Sequence, residues 1–298
     1  MEKTGEERRE EAMKYVNFEG VDFLRGACTE ETLRLVRDEF QVMDSDTFVV
    51  TYPKSGTVWM MEILSLVHKH GDPSWCHAVP IWNRVPWCET CIGLEVLRHY
   101  MPPRLITSHL SIQLFPKSFF GSKAKIIYVL RDPKDVVTSF YYYSKIHGMF
   151  KDPESFPQFL DNFLQGNVPY GSWFDHVCGW MKMKGQSNFF FITYEELLQD
   201  LRGSVVRICD FLGQELDEAA IDSVVENATF KTMKDNKMAN FSQVSEDIIH
   251  HSKGRFMRKG ISGDWKNNFT MAQSERFNRV YQEKMKDLGT KFPWDTDC

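Results

Sequence analysis

Several short stretches hold residues whose types and spacing suit chemistry on an anion. From Val50 to Trp59 the chain reads VTYPKSGTVW, an apolar lead-in followed by Pro53, Lys54, Ser55, Gly56 and Thr57, then an apolar-periodic stretch. A helix beginning there would offer unpaired N–H groups and a partial positive charge to a tetrahedral oxyanion. Gly56 permits close backbone approach, Lys54 adds a point charge, and Ser55 and Thr57 add hydroxyl donors. The G-x-x-x-x-G-K-[ST] spacing of a nucleotide triphosphatase is lacking. On spacing alone the anion site stands only a little ahead of an ordinary strand-to-helix turn with a surface Lys.

A second stretch, RDPKDVVTS, puts Arg131 before a helix start and Ser139 about two turns into that helix. Two separated anion-binding groups would suit a ligand with two phosphate-type centres, although a helix cap with an exposed Arg fits equally well. His109 closes the apolar run RLITSH and has a pKa range suited to a general base, yet a lone His at a strand end is more often structural. FMRKG (Phe256 to Gly260) is a basic, glycine-containing loop able to fold over such a site. The pairs His68/His70 and His250/His251 lack partners at ligand spacing and read as solvated.

These residues need strands and helices to carry them. DTFVVTY (Asp46 to Tyr52), RLITSH (Arg104 to His109), KIIYVL (Lys125 to Leu130) and NFFFIT (Asn188 to Thr193) read as strands, the third near-continuously apolar, as in a buried parallel sheet. Trp59, Ile63, Leu66 and Val67 predict a helix apolar on one face, stopped by Gly71-Asp72-Pro73. Asp132 is a natural N-cap and Pro133 a natural first helical residue, so DPKDVVTSFYYYSKI reads as helix. Further helices are expected over EELLQDLRGSVVRICDFLG, DEAAIDSVVEN and AQSERFNRVYQEKMKDLG, with FMRKGISGDWKNNFT a loop. Strands alternating with helices imply an α/β fold: one domain over 15–298 with a mostly parallel central sheet, preceded by a flexible segment 1–14. The carboxyl ends of such strands are where ligands bind. Lys54–Thr57, His109, Arg131 and Tyr194 all fall there.

Bulk properties exclude other classes. A composition 42% hydrophobic and 26% charged is that of a soluble globular chain. A net charge of −5 argues against general nucleic-acid or anionic-membrane binding, so an anion site must be local. Seven scattered cysteines suit reduced thiols in a cytoplasmic protein, and CETC (Cys88 to Cys91) has no second pair for a zinc site. The charged start MEKTGEERREEAMKY has no signal core, and no apolar run approaches the length of a membrane span.

Taken together, TYPKSGTVW, SHLSIQLFPKSFF, AKIIYVLRDPKDVVTSFYYY, GSWFDH, ITYEEL, TFKTMKDNKMANF and FMRKGISGDWKNNFT resemble the cytosolic sulfotransferase family along nearly the whole chain. PIWNRVPWCET, FPKSFF, GSWFDH and FPWD are most similar to its hydroxysteroid branch. The resemblance implies transfer of a sulfuryl group from 3′-phosphoadenosine 5′-phosphosulfate (PAPS) to a hydroxyl, leaving PAP, with no metal. It implies that Lys54, Ser55, Gly56, Thr57, Val58 and Trp59 hold the 5′-phosphosulfate. Arg131, Ser139, Arg258, Lys259 and Gly260 would take the 3′-phosphate, and Trp59, Tyr194, Thr229, Phe230 and Met233 the adenine. His109 matches the catalytic histidine, Lys54 would stabilise the leaving phosphate, and Ser139 would restrain Lys54 until the acceptor arrives. Trp82, Trp87, Tyr143 and Phe241 are acceptor-pocket candidates by family position, although core packing is the ordinary role of such rings; His147 falls in the same region.

The chain departs from the family pattern at three places. Thr107 stands where members acting on phenols carry Lys, which points to a hydrophobic alcohol such as a hydroxysteroid. Asp132 replaces a common Asn and would put a negative charge beside Arg131. The family's dimer signature is present as KNNFTMAQSE (Lys266 to Glu275) with Met271 in place of Val, so a homodimer is expected. Alternatives are the same chemistry on phenols or amines, a small-molecule kinase, which would need the missing glycine loop, and a non-catalytic PAP- or steroid-binding relative.

Overall fold

The computed structural model describes residues 14–297. The expected flexible segment 1–14 lies outside these residues apart from Lys14, whose ammonium donates to the carbonyls of Gly148 (2.9 Å) and Phe150 (2.8 Å).

A short hairpin, β1 (Tyr15–Phe18) and β2 (Val21–Leu24), leads in. Four further strands, β3 (Thr47–Thr51), β4 (Leu105–Ser108), β5 (Lys125–Leu130) and β6 (Phe189–Thr193), pair in the order β4-β3-β5-β6, every pair parallel. Successive strand residues face opposite sides of a sheet. Phe48, Val50, Ile126, Tyr128 and Leu130 accordingly enter one core, and Val49, Ile127 and Val129 the other. Both faces are covered, as the apolar runs require.

Helix α1 (Thr57–His68) packs into the second core and α2 (Pro133–Ile146) into the first. The sequence predicted α1 to be apolar on one face. Instead nearly every side chain from Thr57 to Val67 is buried, because the following segment covers its outer side. Glu62, on that side, meets the buried Arg84 guanidinium at 2.6 Å. Gly71, at φ +85°, turns the chain after α1, and its N–H caps Leu66 O.

Asp132 caps α2 as expected, accepting from Lys134 N at 2.8 Å, and Pro133 is the first helical residue. The long helix expected after β6 divides into α3 (Tyr194–Gln199) and α4 (Leu201–Leu212). Asp200 leaves the helical region there and caps α4 through Gly203 N. Two later elements matter below: α5 (Phe230–Asp235) and α6 (Met271–Met285). Among the described residues no helix is long and apolar enough to cross a membrane.

Candidate active site

β3 delivers its carboxyl end into a turn with two residues in the left-handed region, Lys54 (φ +71°) and Gly56 (φ +103°). Gly56 is the N-cap of α1 and sits against a ring: a Cβ there would lie 2.8 Å from Tyr194 Cδ2. A residue with a side chain would be strained and crowded at once, so glycine is required. The turn aims the N–H groups that start α1 at the loop's concave side. Ser55 Oγ is buried without a partner among the described residues.

β4 ends at His109. Its Nδ1 lies 2.9 Å from the Thr51 carbonyl and 3.1 Å from Thr51 Oγ1, which in turn meets Thr57 Oγ1 at 2.7 Å. A carbonyl can only accept, so Nδ1 carries the proton and Nε2 keeps its lone pair. The ring lies between Trp87 (6.0 Å) and Tyr170 (5.3 Å). Burial, opposed by the Thr51 contact and assisted by the Lys54 charge, holds His109 down to about 4. The imidazole is therefore a neutral base at neutral pH.

His109 is also held through its backbone. Its N–H donates to Glu89 Oε1 at 2.7 Å, and that carboxyl is fully buried and pushed up to about 7 by burial. Sequence reasoning missed Glu89. It lies within CETC, which drew attention only for its cysteines; Cys88 is buried and Cys91 exposed. Among the described residues no group of three or more His, Cys, Asp or Glu is placed to hold a metal ion.

Lys54 points its ammonium at two rings, 3.8 Å from the Tyr143 centroid and 4.5 Å from that of Phe256. Burial, then the charges of Arg131 and Arg258, bring it down to about 7. Ser139 lines the same cavity, but the ammonium rests on the rings rather than on Ser139 Oγ.

Arg131 is buried, not exposed, and its guanidinium ties two loops together. One arm donates to Lys54 O (3.1 Å), the other to Ile261 O (2.9 Å), while Nε has no partner among the described residues. The guanidinium also lies 4.3 Å from the Tyr194 ring centroid. Arg258 and Lys259 meet the buried Asp264 carboxylate at 2.6 and 2.5 Å. Asp135 fixes the same loop by accepting from Gly263 N and Trp265 N. Gly260 (φ +68°) presses on α5, where a Cβ would come within 2.2 Å of the Phe230 ring. Gly260→Ala is expected to destabilise the fold by ~1–3 kcal/mol, read as a lower midpoint in denaturant melts. Asp132 is buried, and burial, then Asp135, raise it to about 6, nearer neutrality than an ordinary carboxylate.

One cavity of about 410 Å³ joins these groups. Lys54, Gly56, Thr57, Val58, Trp59, His109, Arg131, Ser139, Tyr194, Phe230, Met233, Arg258, Lys259 and Gly260 all line it, as do Trp87, Tyr143, Phe241 and His147. Three expected residues do not. Ser55 lies behind the loop; Thr229 caps α5, accepting from Thr232 N; Trp82 packs 5.3 Å from Phe241 and supports the wall. Trp59 is anchored by its Nε1–H on Ala228 O and meets the Tyr194 ring at 5.2 Å. Tyr170, Phe150 and Met149 add to the apolar part and were not singled out from sequence, and Phe256, from the FMRKG loop, joins them. Tyr170 (φ +69°) and Phe241 (φ +61°) share the left-handed backbone of Lys54, a conformation such residues hold only where packing imposes it. Thr107 spends its hydroxyl on Val85 O, in the core. The arrangement is thus a basic, N–H-rich half joined to an aromatic half, with a neutral imidazole between them.

Comparison with known proteins gives this geometry a lineage. Residues 44–289 match the sulfotransferase domain family. Sulfotransferase 2B1 of Mus musculus is 55% identical over 283 residues, covering 95% of this chain and 83% of that protein. A 3-beta-hydroxysteroid sulfotransferase of Cavia porcellus is 49% identical over 279 residues, covering 93% and 97%. Among solved structures, mouse sulfotransferase SULT7A1 complexed with PAP superposes with a TM-score of 0.76 at 31% identity, covering 92% of this chain and 95% of that one.

Proposed function

The chain belongs to the sulfotransferase family, and from that premise we propose that it transfers a sulfuryl group from PAPS to the hydroxyl of a hydrophobic alcohol, a hydroxysteroid. The observation that carries the reading is the His109 tautomer: Nδ1–H is spent on Thr51 O, leaving Nε2 as an acceptor lining the cavity beside the Lys54 loop. An alcohol is a poor nucleophile until a base takes its proton, which His109 Nε2 does as the oxygen attacks sulfur.

PAPS supplies the activated sulfuryl group, and the residues present fit it. Arg131 Nε is buried in the basic half without a partner among the described residues, and the start of α1 presents unpaired N–H groups. Lys54 and those amides stabilise the negative charge that grows on the leaving oxygen. Arg131, Ser139 and the Arg258–Gly260 segment bind the 3′-phosphate. Tyr194, Trp59, Phe230 and Met233 provide the nucleobase slot. The aromatic half, with Trp87, Tyr143 and Phe241, excludes water from a flat hydrocarbon acceptor. Thr107, at the position where phenol-acting members carry Lys, keeps its hydroxyl on Val85 O in the core and lines no part of the cavity. Sulfuryl transfer from labelled PAPS to a 3β-hydroxysteroid, a bile alcohol, a simple phenol and an arylamine tests this. Strong transfer to the steroids supports the reading; transfer mainly to phenol or amine overturns the acceptor class; tight PAP binding without transfer favours a non-catalytic relative.

The protein works in the cytoplasm as a homodimer on this reading, joined through Lys266–Glu275. Met271 opens α6 and is 82% exposed, an apolar residue of the kind a partner covers. Met271→Glu is expected to turn a dimer into a monomer in sedimentation velocity at micromolar concentration, with the helix intact because its N-cap, Thr270, is untouched.

A further inference from the structure

The aromatic half of the cavity contains a second imidazole that the reaction does not use. His147 follows the last residue of α2 and is buried, with its ring 5.0 Å from Tyr143 and 5.2 Å from Phe150. Its Nδ1 accepts from Met149 N at 3.3 Å. In the neutral ring the proton then sits on Nε2. His147 is the mirror of His109: one presents a lone pair, the other an N–H. Nε2 has no hydrogen-bond partner among the described residues and is not sealed off completely, and His147 lines the cavity.

The donor is held rigidly. Gly148 N donates to Ile248 O (2.8 Å) and His250 N to Ile146 O (2.7 Å), so one backbone bond on each side clamps His147 to the covering loop. Lys14 reinforces the segment by donating to the carbonyls of Gly148 and Phe150. Gly148 has no room for a side chain, because a Cβ would meet Asp247 O at 2.5 Å. Burial, then the charges of Lys54, His250 and Lys14, keep the ring neutral. A fixed, neutral N–H in an apolar wall is costly to leave unpaired and discriminates strongly between ligands that do and do not satisfy it.

Resting on the sulfotransferase reading, we infer that His147 is a specificity-determining residue whose Nε2–H binds an oxygen of the acceptor other than the hydroxyl that is sulfated. The preferred acceptors are then hydrophobic alcohols with a second hydrogen-bond-accepting oxygen, a ketone or a further hydroxyl, rather than alcohols whose remainder is pure hydrocarbon. The two histidines contact separate sets of rings, Trp87 and Tyr170 for His109 against Tyr143 and Phe150 for His147, so one molecule meets them at different atoms.

The test compares matched 3β-hydroxysteroids with and without one ketone, placed in one pair on the ring farthest from the hydroxyl and in another on a central ring. kcat/KM is measured at fixed PAPS for wild type, His147→Leu and His147→Gln. The wild type is expected to prefer one of the ketones about tenfold over its deoxo partner, the effect of one satisfied donor. In His147→Leu that ratio falls to near one, chiefly through loss on the ketone, and in His147→Gln, which keeps an N–H donor, part of it returns. A ratio within one variant is insensitive to how much of the protein is folded. Should His147→Leu fail to fold, the wild-type ratios and His147→Gln still decide. No preference in the wild type for either ketone, or a preference that survives in His147→Leu, overturns the assignment. If neither steroid is sulfated by wild type, the functional reading fails instead, and calorimetric binding of the same pairs in the presence of PAP judges His147 by the same ratio.

Discussion

His109→Ala is expected to lower kcat by about 10²–10⁴-fold, the usual worth of a positioned general base, while PAP affinity stays close to that of the wild type. The substitution removes the lone pair that His109 Nε2 presents at the cavity, and it leaves the Lys54 loop, Arg131 and Trp59 in place. Equilibrium binding of PAP beside single-turnover transfer separates the two effects. Unimpaired turnover would remove His109 from the mechanism; lost binding would mean that it acts through the Thr51–Thr57 hydroxyl pair that joins it to α1. The pH profile adds a second readout. Because burial holds His109 down to about 4, it stays unprotonated on lowering the pH through the usual histidine range, and the base is lost only near pH 4. The acid limb of kcat/KM assigned to His109 is therefore expected near pH 4, about two and a half pH units below that of an ordinary imidazole. A limb near 6.5 would show that the ring is solvated in the working enzyme.

The parts of this site that the sequence exposed are the ones written locally. Val50–Thr57 announces a strand, a turn and a helix start in consecutive residues, and Asp132-Pro133 announces a cap and a first turn; both appear at the expected positions. His109 and Arg131 were legible as strand ends because a parallel sheet gathers all its carboxyl ends on one edge. Glu89 was not legible, since its partner is a backbone N–H twenty residues on, and no side-chain pattern marks such a contact. Which aromatics line the cavity was equally hidden. Trp82 and Phe241 touch each other, yet Phe241, in the left-handed backbone region, lines the cavity and Trp82 does not. The all-round burial of α1 has the same origin: Glu62 looks like a solvent-facing residue until Arg84, in a later segment, is seen to neutralise it. The tautomers of His109 and His147 depend on neighbours, too, and these leave a lone pair on one ring and an N–H on the other.

Lys54→Met should cost about 10²–10³-fold in kcat, the usual effect of deleting one group that stabilises charge on a leaving oxygen, and the pH dependence of PAP binding should shrink with it. In the free protein the ammonium lies on the Tyr143 and Phe256 rings, and burial, followed by Arg131 and Arg258, brings its pKa to about 7. The sign follows from that depression. Below pH 7 the group is charged in the free protein and an anion binds to a cation already formed; above it the amine is neutral, and a bound phosphate must draw a proton back onto it. PAP affinity is therefore expected to fall as pH rises from 7 to 9, with uptake of a fraction of a proton at pH 8. Calorimetric titration in two buffers of different ionisation enthalpy measures that uptake directly. Lys54→Met should bind PAP more weakly at pH 6.5, show a smaller decline with pH, and take up no proton at Lys54. Equal proton uptake in wild type and variant would assign the linkage to another group, Glu89 or the buried Glu195, both of which burial places near 7. A normal kcat in Lys54→Met would be more damaging, because the start of α1 would then be stabilising the leaving oxygen alone. The aromatic rest position gives Lys54 a reason to have a lowered pKa and a short way to travel. Tyr143 lines the same cavity, so an ammonium drawn from its face to a bound phosphate would free cavity space beside that ring.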